Sequence, residues 1–344
     1  MWKCIGVYQY DEKHEALLLD GIRPVIHSLQ AEGRLHRAYV LRSFIYGPHL
    51  AIYAELDRES EYPALQKTIQ DRLSPYLEEH PSLSKPTLQE YTERCSQWLE
   101  PEAMALLSHE LMDDQMVILQ ASAACALTRF NRVLQELLHS FHAFNYEMIM
   151  KELEATRCDR RQRYMRMLRL MASNHAFDAK QNVWQGANMP RLRMERYLMS
   201  LKEGDQVRSH YREADGRWCK AVDDTLRELL QHTREDGVYV GPDRMLRRWS
   251  ASRRELYKAV HTLAEEGLII SEQGEPSRSS DDRSLAYLML HETSNALLPL
   301  FQIDRYQRYM LEYMLLQSID RKNAKTPSVH MSHRQQNFAA YSSF

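Results

Sequence analysis

His291 and Asn295 stand four residues apart, and Tyr287 lies four further back. A helix would put these three side chains on one side. Imidazole is the side chain best matched to proton transfer near neutral pH. A tyrosine hydroxyl can donate a hydrogen bond to a developing oxyanion or iminol oxygen. The plainer reading stays open beside this one: a core histidine satisfied by the backbone. A second group is Arg157, Arg160, Arg161, Arg163, Arg166 and Arg169, of which 160, 163 and 166 drift along one helix face. Arg191, Arg193 and Arg196 follow after an intervening stretch. Guanidinium forks fit carboxylates and phosphates. The group therefore reads as a receptor for an acidic peptide or an RNA backbone, or as a solvated face paired with Glu152 and Glu154.

A third pattern is SASRRELYKAVHTLAEEGLI, which has the order of a winged helix, with Arg253, Arg254 and Lys258 facing DNA phosphates. Glu265, Glu266 and the mid-chain position weigh against that use. No set of ligands has metal-site spacing, and no cofactor is implied. G-x-S-x-G, the Walker loop and GxGxxG are all missing, which removes serine-hydrolase, NTPase and dinucleotide readings. Five cysteines (Cys4, Cys95, Cys125, Cys158, Cys219) include no CxxC, and their odd number fits no disulfide framework. They read as free thiols in a reducing cytoplasm.

The elements that must hold these groups fall into blocks. Trp2 to Tyr8 reads as a buried strand, residues 14–31 as a helix stopped by Gly33, and Ala38 to Ile45 and His49 to Leu56 as strands joined at Gly47-Pro48. Residues 60–79 return to helical period before Pro81. Two helices with three strands predict a ferredoxin-like βαββα layer. Helical spacing then predicts helices over 101–112, 115–140, 143–172 and 191–232, with a polar loop from Asn174 to Pro190 around Trp184. In the winged-helix-like segment one helix ends near Trp249, and Ser250 to Ser252 cap the next over 253–266. A short strand, a polar loop over 273–282 and the strand Leu285–Leu290 complete it. A helical run over 302–320 and a loose tail from about 322 end the chain.

The expected class is α+β: an α+β layer over 1–100, a helical region over 101–235, a winged-helix-like segment over 236–290, C-terminal helices over 291–321 and a flexible tail over 322–344. Composition agrees. The 344 residues are 44% hydrophobic and 27% charged, enough to bury a core, and only 11 are glycine, which favours helices over hairpins. Forty-five basic against 47 acidic residues give a net charge of −2, which argues against nucleic-acid coating. No apolar run reaches membrane-spanning length. The start, MWKCIGVYQYDEK, does not read as a signal peptide.

The order of several motifs resembles a known family. Trp2-Lys3-Cys4-Ile5-Gly6-Val7-Tyr8, the helix with ALLLDGIRPVIHSL, then AYVLRSF, GPHLAIYAEL and YLEEHPSL are similar to the C-terminal domain of lantibiotic dehydratases, which also occurs alone as the thiopeptide-type bacteriocin biosynthesis protein. ELMDDQMVILQA and SLAYLMLHETSNALL resemble later segments of the same family. The resemblance implies an enzyme acting on a ribosomal precursor peptide. One branch removes glutamate from glutamylated Ser or Thr. Another joins two dehydroalanines by formal [4+2] cycloaddition into a pyridine ring and expels the leader peptide. Arg42 matches the arginine of the family's "IRY", and His49 the histidine of its "HLRLR". The two arginines of that strand are Ala51 and Tyr53 here, and a later one is Ala296. Fewer cations to hold a glutamyl carboxylate favour the cyclase over the eliminase. In that frame His291, Tyr287, Asn295, Arg42 and His49 are the catalytic candidates, and Arg157, Arg160, Arg163 and Arg166 the dock for an acidic leader. The partners implied are the precursor peptide, with its leader and dehydrated core, and a dehydratase. Glutamate elimination is the second reading, and a winged-helix DNA-binding regulator the third.

Overall fold

The computed structural model describes residues 1–10, 14–82, 85–100, 104–105, 107, 110–120, 132–180, 185–268 and 289–325. Trp2–Tyr8 forms β1. A wider-wound helical stretch, Leu17–Ile22, runs into α1, Arg23–Ala31, which starts on Pro24 and buries Ile26 and Leu29. Gly33, at φ 69°, ends it, and the Arg34 amide bonds back to the Leu29 carbonyl at 2.9 Å. β2 (Arg37–Ser43) and β3 (His49–Glu55) follow, then α2 (Tyr62–Glu79) and α3 (Leu88–Cys95). β4 is Val117–Gln120. The four strands make one antiparallel sheet in the order β2-β3-β1-β4, with Cys4 opposite Tyr53 and Val7 opposite both Leu50 and Val117.

β4 corrects the expectation of a helix from 115 to 140. Val117 and Ile118 suit a pleated, half-buried surface, and the free edge of β1 supplies their hydrogen-bond partners. Helix resumes at α4, Arg132–Ala155, which packs on β2. There Trp2 stacks on His139 at 5.0 Å, and the Tyr39 hydroxyl meets His139 Nδ1 at 2.8 Å. α5 spans Arg160–Lys180, α6 Gln185–Ser200, α7 Gly204–His232, α8 Arg244–Glu265 and α9 Arg305–Lys325. The expected 143–172 helix is thus broken after Ala155, and 191–232 is split before Gly204, where a β-carbon would lie 2.2 Å from the Leu198 carbonyl oxygen. The expected polar loop from Asn174 is instead helix as far as Lys180, and α6 already includes 185–190.

The helix–turn–helix expected around residue 250 is one continuous helix. The Ser250 hydroxyl donates to the Arg247 carbonyl and accepts from the Tyr239 amide, and the Ser252 hydroxyl donates to the Arg248 carbonyl at 2.9 Å. These serines bond to the preceding turn rather than capping a new one. The true N-cap is Asp243, whose carboxylate accepts from the Leu246 amide at 3.2 Å. Of the expected strand Leu285–Leu290, Met289 and Leu290 are helical instead, and its earlier residues lie outside the described residues, as do the loop before it, 273–282, Trp184, Cys125 and the tail beyond 325. α9 itself continues past the expected start of that tail, to Lys325. One apolar core joins the sheet to α1, α2, α4, α5, α7, α8 and residues 289–303. A second, built on Tyr197, Tyr211, Tyr309 and Tyr313, joins α6, α7 and α9.

Candidate active site

Residues 289–295 are helical and carry His291 inward, 6% exposed. Asn295 sits one turn on, half-buried. Tyr287 lies outside the described residues. α5 meets this segment with Asn174, His175 and Asp178, which share one face at i, i+1 and i+4 and are all buried. The Asn174 amide donates to the Ser294 hydroxyl at 2.7 Å and accepts from the Trp249 indole at 3.3 Å. That relay fixes α5, α8 and 289–295 to one another. Arg253 of α8 is fully buried, 5.2 Å over the Phe177 ring and 3.8 Å from the Asp178 carboxylate.

Burial holds His291 well below the ordinary imidazole range, and the charges of Arg253, Arg193 and Arg308 add to it, as does the His175 ring. His175 is lowered to about 4 by burial and by Arg253. Asp178 is raised to about 7, because desolvation outweighs the attraction of Arg253. Glu312, on α9 beside Arg308, is also raised by burial. The cluster therefore presents neutral imidazoles and carboxyls leaning to the acid form among fixed guanidinium charges. Such a set can pass protons by hydrogen bonds and stabilise negative charge on a carbonyl oxygen. Among the described residues no three His, Cys, Asp or Glu side chains gather as a metal site.

Arg42 and His49 sit elsewhere, at the end of the β2–β3 pair. The Arg42 guanidinium lies 4.5 Å over Trp98 and 5.0 Å over Phe44. His49 is fully buried, with Nδ1 2.8 Å from the Gly47 carbonyl and its ring stacked on Tyr8 at 4.5 Å. Both are felt by His14, which burial lowers to about 3. A small crevice joins His14, Glu15, Arg42 and Gln302. Gln302 holds the left-handed φ of 55° and donates from its side-chain amide to Glu15 at 3.2 Å. A non-glycine residue in that region is often part of a functional site. His14 and Gln302 had no local motif to mark them. The segment from 289 to 302 carries His291 at one end and Gln302 at the other, so one stretch of chain borders both groups.

The α5 arginines are largely engaged by acids of the same chain. Arg157 pairs with Asp20 at 2.5 Å, and Arg166 with Asp243 and Glu152 at 2.8 and 3.0 Å. Arg163 is turned inward and pairs with Glu15 at 2.8 Å. Arg169 bridges Glu228 and Asp243. Arg160 is exposed.

No protein-family model matches the sequence, and no curated protein sequence matches it. Solved structures do. The chain is similar to the pyridine synthase TbtD from thiomuracin biosynthesis, with a TM-score of 0.71 and 19% identity over 94% of this chain and 99% of that one. It is also similar to TsrL, with a TM-score of 0.68 and 14% identity over 94% and 95% of the two chains. The tRNA dependent lantibiotic dehydratase MibB from Microbispora sp. 107891 aligns at a TM-score of 0.45 and 15% identity, over 94% of this chain and 28% of that one. The fold is thus that of TbtD and TsrL over most of the chain, in agreement with the resemblance to standalone thiopeptide proteins.

Proposed function

We propose that the protein closes a six-membered nitrogen ring in a dehydrated precursor peptide, by formal [4+2] cycloaddition of two dehydroalanines, and releases the leader. The observation that carries this reading is the match of fold across nearly the whole of both chains to a pyridine synthase. The strand order β2-β3-β1-β4 supports a ferredoxin-like layer as its base. The substrate would come from an enzyme that dehydrates serines of the same peptide.

In the first step an amide beside one dehydroalanine becomes an iminol: its N–H proton leaves and its oxygen gains one. His291, held neutral, accepts the proton at one ring nitrogen, with Asn295 beside it and the Tyr287 hydroxyl as donor to the oxygen. The arginines around His291 favour negative charge on that oxygen. Two carbon–carbon bonds then close the ring, one between the two dehydroalanine β-carbons and one from the second α-carbon to the iminol carbon, mainly because both ends are held in contact. Water departs when the ring hydroxyl is protonated and a ring proton is taken. The leader departs as an amide in the same way, leaving an aromatic pyridine without any oxidant. Arg42 and His49, with His14, would hold a peptide carbonyl at the other end of the 289–302 segment.

Glutamate elimination fits less well. Ala51 is fully buried, and Tyr53 stacks on Tyr39 at 4.7 Å beneath His139 of α4. These positions are packed into the apolar core of this protein, which leaves no cation there to hold a glutamyl carboxylate. Of the four arginines assigned to an acidic leader, Arg160 is exposed and forms no salt bridge among the described residues, although its charge acts on Asp304, so the α5 dock would rest on that residue with help from Arg157.

Intact mass spectrometry with a dehydroalanine-containing precursor tests the reaction. Released leader and a product lighter by water are expected, and both should vanish in His291→Ala and fall sharply in Tyr287→Phe. Loss of glutamate from a glutamylated precursor, with no reaction on the dehydrated one, would overturn the cyclase in favour of the eliminase.

A further inference from the structure

The α5 arginines mostly have acids of their own, but those at the start of α8 do not. Arg244, Arg247 and Arg248 share one face at i, i+3 and i+4, and all three are exposed. Among the described residues none of them forms an ion pair. Arg247 gives a hydrogen bond to the Gly241 carbonyl at 3.1 Å, and Arg248 gives one to the Phe144 carbonyl. Arg244, at the first helical position, opposes the helix dipole by about 0.3–1 kcal/mol. The capping carboxylate of Asp243 is already engaged by Arg166 and Arg169. Three guanidinium charges on one face, with no ion pair among the described residues, suit carboxylates of another polypeptide.

Two of these arginines lie beside exposed apolar side chains. Phe144 of α4 is 60% exposed, and the Arg248 guanidinium covers one side of its ring at 4.4 Å. Val240, 50% exposed, lies in the turn that leads into α8 beside the Gly241 carbonyl held by Arg247. Aromatic and arginine side chains together are the pair that most often anchors a protein interface.

We propose that this α4–α8 face binds an acidic segment of a polypeptide, with its carboxylates on Arg244, Arg247 and Arg248 and an apolar side chain against Phe144. The proposal does not depend on the reaction above. A nucleic acid fits less well. The basic run covers only two turns, and beyond it Glu255 lies between Arg254 and Lys258, where a phosphate backbone running along α8 would meet it. The whole chain also carries no net positive charge to attract a polyanion.

Fluorescence anisotropy with a fluorescein-labelled peptide of repeating Glu-Glu-Leu units tests it, with a Gln-Gln-Leu peptide and a duplex oligonucleotide as comparisons. The acidic peptide should bind more tightly than either and weaken as salt rises from about 0.05 to about 0.5 M. The double variant R247E/R248E should weaken it by about tenfold, with R247Q/R248Q in between. Phe144→Ala should also weaken it, and Lys67→Glu, an exposed position on α2, should change it by less than about twofold. These substitutions are exposed, and acids near a helix start favour the helix, so folding is preserved. Equal binding by R247E/R248E and the parent protein would overturn the proposal, as would an equal loss in Lys67→Glu. Tighter binding of the oligonucleotide, lost in the same double variant, would reassign the face to nucleic acid.

Discussion

The Asp178 carboxylate meets the Arg253 guanidinium at 3.8 Å with both side chains sealed from solvent, at 8% and 1% exposure. Neither Asp178 oxygen receives a hydrogen bond among the described residues. The contact is too long to offset the loss of hydration, and the carboxyl is pushed up to about 7. Folding therefore favours the protonated acid. Its stabilising contribution is full below the unfolded value of 3.8, declines as pH rises towards 7, and is gone above that. Asp178→Asn keeps the shape and removes the titration. Between about pH 5 and pH 8 the variant should gain about 1–3 kcal/mol relative to the parent protein. Urea unfolding at the two pH values measures this, and a constant difference would mean that the acid is already ionised at pH 5.

The buried histidines slope the other way. Burial lowers His14 and His142 to about 3, and His139 and His175 to about 4. Each binds a proton in the unfolded chain near its ordinary 6.5 but not in the folded one. Their contribution is flat above about 6.5 and is lost as pH falls towards 3 or 4, at up to about 1.4 kcal/mol per pH unit for each ring. These rings, with His291 lowered as well, outweigh the opposing slope of raised carboxyls such as Asp178 and Glu312, so the protein should be most stable near neutrality and unfold steeply on acidification. His142→Asn should reduce the slope of urea midpoint against pH between about 4 and 6. An unchanged slope would show that His142 is charged in the folded protein.

What the sequence made legible follows from which forces are local. β1, α1, β2, β3 and α2 were readable because alternation, Gly33 and Gly47-Pro48 act within a few residues. The helix over 174–180 was not, because Asn174, His175 and Asp178 look like loop residues until Ser294, Trp249 and Arg253 arrive to meet them. β4 was hidden for the same reason, since its strand depends on the free edge of β1. At the candidate site His291 and Asn295 were found by spacing, and Arg42 and His49 by family resemblance. The charges around His291 come from three other helices, and no local pattern announces them. The α5 arginines were legible as a cluster, but their acids, Asp20, Glu15 and Glu228, are distant in sequence.

Two of those ion pairs should differ widely in energy. Arg163 and Glu15 are 6% and 10% exposed, whereas Arg157 and Asp20 are 39% and 46% exposed. Removing one partner of a buried pair strands the other charge and costs about 3–5 kcal/mol, against about 0–1 kcal/mol for an exposed pair. Arg163→Ala should thus lower the urea midpoint far more than Arg157→Ala. Comparable losses would mean that water reaches the Arg163 pair. Arg163 also donates to the Thr156 carbonyl at 3.2 Å, so its removal should loosen the break between α4 and α5.

Gly237 gives the most direct probe of the Asp178–Arg253 corner. It turns the chain between α7 and α8 at φ 80°, and a β-carbon there would stand 2.3 Å from Cδ2 of Phe177. Phe177 is the residue whose ring lies beneath Arg253. Gly33 has a similar φ of 69° but open space around it. Gly33→Ala therefore carries the backbone penalty alone, about 1 kcal/mol, while Gly237→Ala adds a steric collision with the core. Gly237→Ala should be the more destabilising of the two in urea unfolding. Combining it with Phe177→Ala should cost less than the sum of the single changes, because the second substitution removes the atoms that the first one strikes. Strict additivity would mean that Phe177 already has room to swing aside, and that the turn does not press on the charged pair behind it.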